Sequence, residues 1–279
     1  MPTLPSGSGP APGPRPHEAR AIAESFGVDP ARYDRTRPRY PDAMVTAIVE
    51  AAPGRDVLDV GIGTGIDARQ FRAAGCTVLG VEPDVRMAEF ARRDGFGVDV
   101  ATFEDWDGGG RTFDVVVAAQ AWHWVDPVAG AARAAEALRP GGRLAVFWNA
   151  AQPPPELAEA FAAVYREVLP DSPAARSSVS AGWQPYVVMC DTAADGIREA
   201  GAFGEPERWR FDWEQTYTRD EWLDQVPTTG IHTRLPREVL DRVLAGLGAA
   251  VDAVGGGFEC RYTTLVVTAA RNVEAVSDR

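Results

Sequence analysis

Between residues 56 and 148 the chain alternates short apolar runs with longer stretches in which apolar residues recur at helical spacing. The runs fall at 56–60, 77–81, 97–101, 113–119 and 143–148, and the helical stretches between them at about 66–74, 85–94 and 127–138. Val115-Val116-Val117-Ala118-Ala119 is apolar at consecutive positions, the pattern of a strand buried on both faces. Such strands alternating with helices predict a parallel sheet covered by helices.

The pattern loosens on either side. Residues 1–16 hold six prolines and three glycines with little to bury, so a disordered arm is expected. Helical patterns follow at 18–26 and 41–52, and Pro38 and Pro41 predict that the separator 33–41 stays out of helix. Beyond 148, Pro153-Pro154-Pro155 leads into a helix at 156–169, a turn-rich stretch to about 184, and a helix at 191–200. At 207–216, Trp209, Phe211 and Trp213 alternate with Arg208, Arg210, Asp212 and Glu214, which predicts a strand with one buried face. Thr218 to Glu221 spells a capping box, 236–254 a long helix ending at Gly255-Gly256-Gly257, and 258–269 a last strand. No internal repeat is visible.

Composition narrows the chemistry. All 28 basic side chains are arginine, so lysine Schiff bases, P-loop lysines and kinase-type lysines are excluded. Three histidines (His17, His123, His232) and three cysteines (Cys76, Cys190, Cys260) show no paired spacing, so no metal site is expected. A net charge of −12 argues against a nucleic-acid partner. Unpaired cysteines suggest a reducing compartment, and the sequence has neither an apolar run of about 18 residues nor a signal-peptide pattern. A cytoplasmic protein without a membrane partner, monomeric or homodimeric, is expected.

The first run passes through Asp59-Val60-Gly61-Ile62-Gly63-Thr64-Gly65 into a helix. Glycines there let the backbone turn sharply and let a ligand approach where a side chain would collide. The dinucleotide fingerprint G-x-G-x-x-G needs glycine where this chain has Ile66, which disfavours a pyrophosphate. The second run ends in Val81-Glu82, where an acid can accept hydrogen bonds from both ribose hydroxyls. The ligand should therefore carry a ribose and need no pyrophosphate.

These residues resemble the class I S-adenosylmethionine-dependent methyltransferases, in which an acid precedes G-x-G-x-G and another closes the second strand. Asp59, Gly61, Gly63, Gly65 and Glu82 match. Leu138-Arg139-Pro140-Gly141-Gly142-Arg143-Leu144 is similar to the turn into the family's fifth strand, and Gln120-Ala121-Trp122-His123-Trp124 stands at its fourth motif. The resemblance implies an α/β, doubly wound Rossmann-like sheet, mostly parallel with an antiparallel C-terminal strand. A helical N-terminal lid is expected at 17–52, a cofactor-binding core at 53–150, the rest of the fold with substrate-side elements at 151–270, and a tail at 271–279. The implied cofactor is S-adenosyl-L-methionine and the product S-adenosyl-L-homocysteine. By the same resemblance, Asp59 and the 61–65 loop hold the methionine end, Glu82 and Pro83 the ribose, and Met87, Thr102, Phe103 and Glu104 the adenine, with Gln120 beside them. Met87 reads equally as core, and Thr102 stands where many relatives have aspartate.

Methyl transfer from a sulfonium is an in-line displacement that needs a base only for a protonated acceptor. With no lysine, the base candidates are His123, with Trp122 and Trp124 to wall the acceptor, and behind it His232. His123 reads equally as a hydrogen-bonded histidine among packing tryptophans. The tryptophan–histidine segment, together with Tyr33, Arg37 and Tyr40, is similar to bacterial small-molecule methyltransferases related to the trans-aconitate methyltransferases. In those relatives the N-terminal segment folds over the cofactor, which makes these three residues lid candidates. Arg37 reads equally as a surface ion pair. The expected activity is methylation, at oxygen first, of a small organic acceptor. The alternatives are a cofactor-binding module without transfer, cyclase-like or regulatory, and a protein or RNA methyltransferase.

Overall fold

The computed structural model describes residues 24–172, 175 and 183–273. The arm expected at 1–16, His17, and most of the tail at 271–279 lie outside them.

Seven strands form one sheet: β1 (Asp56–Val60), β2 (Thr77–Val81), β3 (Gly97–Asp99), β4 (Phe113–Ala119), β5 (Leu138–Gln152), β6 (Glu207–Thr218) and β7 (Gly257–Ala270). Their order is β3-β2-β1-β4-β5-β7-β6. The first five pair in parallel, and β7 runs antiparallel between β5 and β6. The sheet is therefore mostly parallel with an antiparallel C-terminal strand.

The apolar run of β4 is buried on both faces, as its sequence predicts. Val115 and Val117 face a core built with Met44, Val45, Ile48 and Phe71 of α2 (Asp42–Glu50) and α3 (Ile66–Ala73). Val116 and Ala118 face the opposite core, packed by the alanine-rich surfaces of α5 (Pro127–Ala137) and α7 (Gln184–Ala200). Between α2 and α5 along the chain, α4 (Val85–Arg93) covers β2 and β3 through Ala88 and Ala91. Gly196 allows α7 to cross α5 closely, since a Cβ there would stand 2.5 Å from the Pro127 carbonyl oxygen.

A third cluster sits at the far ends of β6 and β7. Leu157 and Phe161 of α6 (Pro155–Val168) and Val243, Leu247 and Val251 of α9 (Arg237–Ala253) pack there on Phe258, Cys260 and Tyr262. The predicted capping box is present at the start of α8 (Arg219–Gln225).

Several elements differ from the sequence reading; α7 begins at Gln184 where the expected helix began at 191, and β5 begins at Leu138 where the strand was expected from 143. The separator 33–41 is helical in its first part, because α1 (Pro30–Thr36) starts there with Pro30 at its first turn and the Asp29 carboxylate accepting from the Arg32 N–H. The proline effect begins only at Arg37, which is extended ahead of Pro38. β5 continues past Trp148 to Gln152, because the polar residues Asn149 and Gln152 pair with Thr264 and Arg261 of β7. The described part of the pattern at 18–26 belongs to a 3-10 turn, Glu24–Val28.

Candidate functional site

A cavity of about 470 Å³ opens at the C-terminal ends of β1, β2, β4 and β5. It lies where the strand order reverses between β1 and β4, the crevice in which open α/β sheets bind ligands.

One end is built by the glycine loop. Gly61, Gly63 and Gly65 have φ of +73°, +56° and +86°, a left-handed run that other residues adopt only under strain. A Cβ on Gly61 would also stand 2.6 Å from the Ala121 Cβ, so the loop after β4 closes directly over it. Gly61 and Gly63 line the cavity, whereas Gly65 caps α3 against Phe96. Glu82, Pro83, Met87, Thr102 and Phe103 line the same end.

Glu82 is held by two backbone donors, Gly63 N–H at 2.9 Å and Asp84 N–H at 2.9 Å. Burial pushes its carboxyl up to about 7 despite those bonds. Each oxygen keeps a lone pair for a ligand hydroxyl.

Asp59 is fully buried beneath the loop and does not line the cavity. Neither of its oxygens has a hydrogen-bond donor among the described residues, and neither does Asp67 Oδ2. Burial, and then the Asp67 and Glu82 carboxylates, push Asp59 well above the usual carboxylate range. Burial likewise raises Asp67, to about 7. An acid pair with three oxygens short of donors, under an open glycine loop, suits the positive end of a ligand held just above it.

The strand β4 ends in strain. Gln120 has φ +54°, and among the described residues it is the one non-glycine with a left-handed backbone. Its amide donates to the Asn149 carbonyl at 3.2 Å, which fixes the side chain between β4 and β5 at the cavity wall.

The other end is aromatic. Tyr33, Trp124, Tyr165, Tyr186, Trp222 and Tyr262 line it, and Arg37 is the one arginine of the cavity among the described residues. Its guanidinium lies 5.3 Å from the Tyr33 ring centroid, and among the described residues no carboxylate pairs with it. The surface ion pair conceivable for Arg37 is absent there. α1 is tied down from both sides instead, by Arg32 to Asp224 at 2.8 Å and by Asp34 to Arg69. Phe26 adds a ring between Tyr33 and Trp124, at 6.1 and 6.4 Å.

Several candidate residues are placed otherwise than expected. Trp122 is buried in the core against Phe103 and turns away from the acceptor space, because Gly130 of α5 leaves room for its indole. Tyr40 stacks edge-on against Phe147 at 4.9 Å in the core and does not line the cavity. His123 does line it, but its Nδ1 accepts from the Trp148 indole at 3.2 Å. The neutral ring therefore carries its proton on Nε2, and burial lowers it to about 4. The ring's remaining nitrogen is a donor where a base was expected. His232 is buried behind Tyr165, with its Nε2 3.0 Å from the Tyr165 hydroxyl.

Sequence reasoning missed Asn149, Tyr165, Tyr186, Trp222 and Tyr262. One signal was available for Tyr165: it is the polar-tipped position on an otherwise apolar stripe with Leu157, Phe161 and Val164.

A family model described as a methyltransferase domain matches residues 33–170. An uncharacterized methyltransferase of Mycobacterium tuberculosis is 38% identical over 133 residues, 47% of this chain and 54% of that protein. A nocamycin O-methyltransferase of Saccharothrix syringae is 35% identical over 177 residues, 55% of this chain and 61% of that protein. The matches thus span between half and two thirds of those relatives' lengths. The solved structure of a methyltransferase from Anaeromyxobacter dehalogenans superposes with a TM-score of 0.59 at 26% identity, covering 85% of this chain and 98% of that one. Residues 33–170 thus carry a methyltransferase domain, and the glycine loop and the mostly parallel sheet resemble those of the class I S-adenosylmethionine-dependent methyltransferases.

Proposed function

We propose that the protein methylates an oxygen atom of a small organic acceptor, using S-adenosyl-L-methionine and releasing S-adenosyl-L-homocysteine. The observation that carries this reading is one cavity with two chemically different ends. A ribose-type acid on a glycine loop lies at one end, and an aromatic chamber with the Arg37 guanidinium, which has no carboxylate partner among the described residues, at the other. The similarity to an O-methyltransferase supports oxygen as the acceptor atom.

When bound, the cofactor supplies an activated methyl group on a sulfonium. Glu82 would accept from the ribose hydroxyls, Pro83, Met87, Thr102 and Phe103 would surround the base, and Gly61, Gly63 and Gln120 would border the methionine end. Asp59 and Asp67 would act from beneath, sharing one proton and leaving one negative charge to face the positive end. Residues 53–150 serve in this reading as the cofactor core, 17–52 as the lid and 151–270 as the substrate side. Tyr33 and Trp124 exclude water around the reacting atoms, and Arg37 holds an anionic group of the acceptor. The finer likeness to trans-aconitate methyltransferases rests on the Tyr33–Arg37 segment and the tryptophan–histidine segment alone.

The test is turnover with S-adenosyl-L-methionine against a panel of hydroxybenzoates, hydroxy acids and matching amines, read by mass spectrometry. One S-adenosyl-L-homocysteine per methylated oxygen is expected. Stoichiometric cofactor binding without turnover on the panel would favour a binding module, and methyl incorporation into protein or RNA would favour a macromolecular acceptor.

A further inference from the structure

The aromatic end of the cavity has an imidazole behind its wall. Tyr165 of α6 lines the cavity, and His232, in the 3-10 turn Gly230–Arg234, stands behind it. The hydrogen bonds around the imidazole fix its tautomer. Thr229 Oγ1 donates its one proton to the Val226 carbonyl at 2.8 Å. His232 Nδ1 lies 2.9 Å from the Thr229 carbonyl oxygen and 3.1 Å from Thr229 Oγ1. Both of those oxygens are left as acceptors, so the ring proton is on Nδ1. Nε2 is then a lone pair, and the Tyr165 hydroxyl, 3.0 Å away, donates to it. Three successive bonds point the Tyr165 proton away from the cavity and leave the phenolic oxygen free to accept.

His123 has the opposite arrangement. Trp148 already occupies its Nδ1, so the nitrogen left over is a donor. Of the two described imidazoles, only the one behind Tyr165 is wired as a base.

We propose, on the reading of this site as methyl transfer to oxygen, that Tyr165 is the catalytic residue that takes the acceptor's hydroxyl proton and His232 the positioning residue that receives the proton Tyr165 gives up. As the acceptor oxygen bonds to the methyl carbon, the carbon–sulfur bond breaks and its electron pair stays on sulfur. The acceptor proton moves to Tyr165 Oη while the Tyr165 proton moves to His232 Nε2. One positive charge leaves the sulfonium and one appears on the imidazolium, so charge is conserved. The imidazolium keeps both protons bonded, to the Thr229 carbonyl and to Tyr165. Burial holds His232 below its ordinary value, which keeps the ring neutral and ready at pH 7. The relay selects an acceptor whose reacting oxygen is protonated, a phenol, enol or alcohol, with any carboxylate of that molecule placed on Arg37.

Two measurements test this. Imidazole ¹⁵N spectra of the full chain with S-adenosyl-L-homocysteine should show His232 neutral and protonated at Nδ1, with the Nε2 resonance moving in Tyr165→Phe. A His232 protonated at Nε2, or charged at neutral pH, overturns the relay whether or not any acceptor turns over. Kinetics on the hydroxybenzoate and hydroxy-acid panel should show kcat falling by about 10²–10⁴-fold in Tyr165→Phe, the usual range for base assistance. KM should change by less than about threefold and cofactor affinity not at all. His232→Asn keeps a donor for Thr229 but has no basic nitrogen, and it should lose a similar factor in kcat with its melting midpoint retained. Unchanged kcat in both variants overturns the relay, while failed cofactor binding by the wild-type chain overturns the reading of the site beneath it.

Discussion

The Gly63 N–H donates to the Glu82 carboxylate over 2.9 Å, so the glycine loop after β1 and the acid that ends β2 are parts of one construction. With the Asp84 N–H on its other oxygen, the carboxylate cannot swing away from the cavity wall. Glu82→Ala removes the ribose acceptor. Hydrogen bonds to a charged group are worth about 1.5–3 kcal/mol, so S-adenosyl-L-methionine affinity should fall about 10- to 100-fold by calorimetry. An unchanged affinity would remove Glu82 from the cofactor site.

The same carboxylate makes the protein pH-sensitive. Its folded value of about 7 lies above the ordinary 4.5, so the folded chain holds this proton more tightly than the unfolded one. The stability it contributes is complete below about pH 4.5 and is lost as pH rises toward 7. Asp67, also near 7, acts in the same direction. Without cofactor, the melting midpoint of Glu82→Gln relative to wild type should climb between pH 5 and 8, and a gap that narrows instead would contradict this. Ribose binding draws on the ionised acid, so cofactor affinity should rise with pH up to about 7 and then level off.

Asp59 and Asp67 face each other, and among the described residues no donor reaches either Asp59 oxygen or the Asp67 Oδ2. Asp59→Asn would bring an amide that donates to Asp67. The substitution should stabilise the cofactor-free protein at pH 7.5 by about 1–3 kcal/mol, because the amide donates permanently, whereas Asp59 must take up a proton on folding to do so. Cofactor affinity should fall in the same variant. A variant both less stable and undiminished in binding would show that the pair serves the fold alone.

Arg37 gives the aromatic end of the cavity its positive charge. Arg37→Gln should raise the KM of a carboxylate-bearing acceptor about 10- to 100-fold, the loss of a bidentate charged pair. S-adenosyl-L-homocysteine affinity should stay within about threefold. A matching loss of that affinity would assign the guanidinium to the cofactor's own carboxylate.

The fold is legible where burial alone decides structure. Residues 115–119 of β4 read correctly because a strand covered on both faces has to be apolar throughout. The end of β5 does not, because Asn149 and Gln152 owe their strand conformation to pairing with β7, more than a hundred residues away. α1 is obscured because Pro38 masks the Asp29-Pro30 start signal a few residues before it. At the site, the glycine loop and Glu82 are visible through spacing within one βαβ unit. The roles of the two histidines are not. Which ring nitrogen is free depends on Trp148 for His123, and on Tyr165 and Thr229 for His232, and no local pattern encodes those meetings.

The most direct measurement is a crystal structure with S-adenosyl-L-homocysteine bound. The ribose hydroxyls are expected on Glu82, the base between Met87 and Phe103, and the sulfur facing the chamber lined by Tyr165, Trp124 and Arg37. A ligand bound with its ribose away from Glu82, or with its sulfur turned away from that chamber, would contradict the proposed methyl transfer at this site.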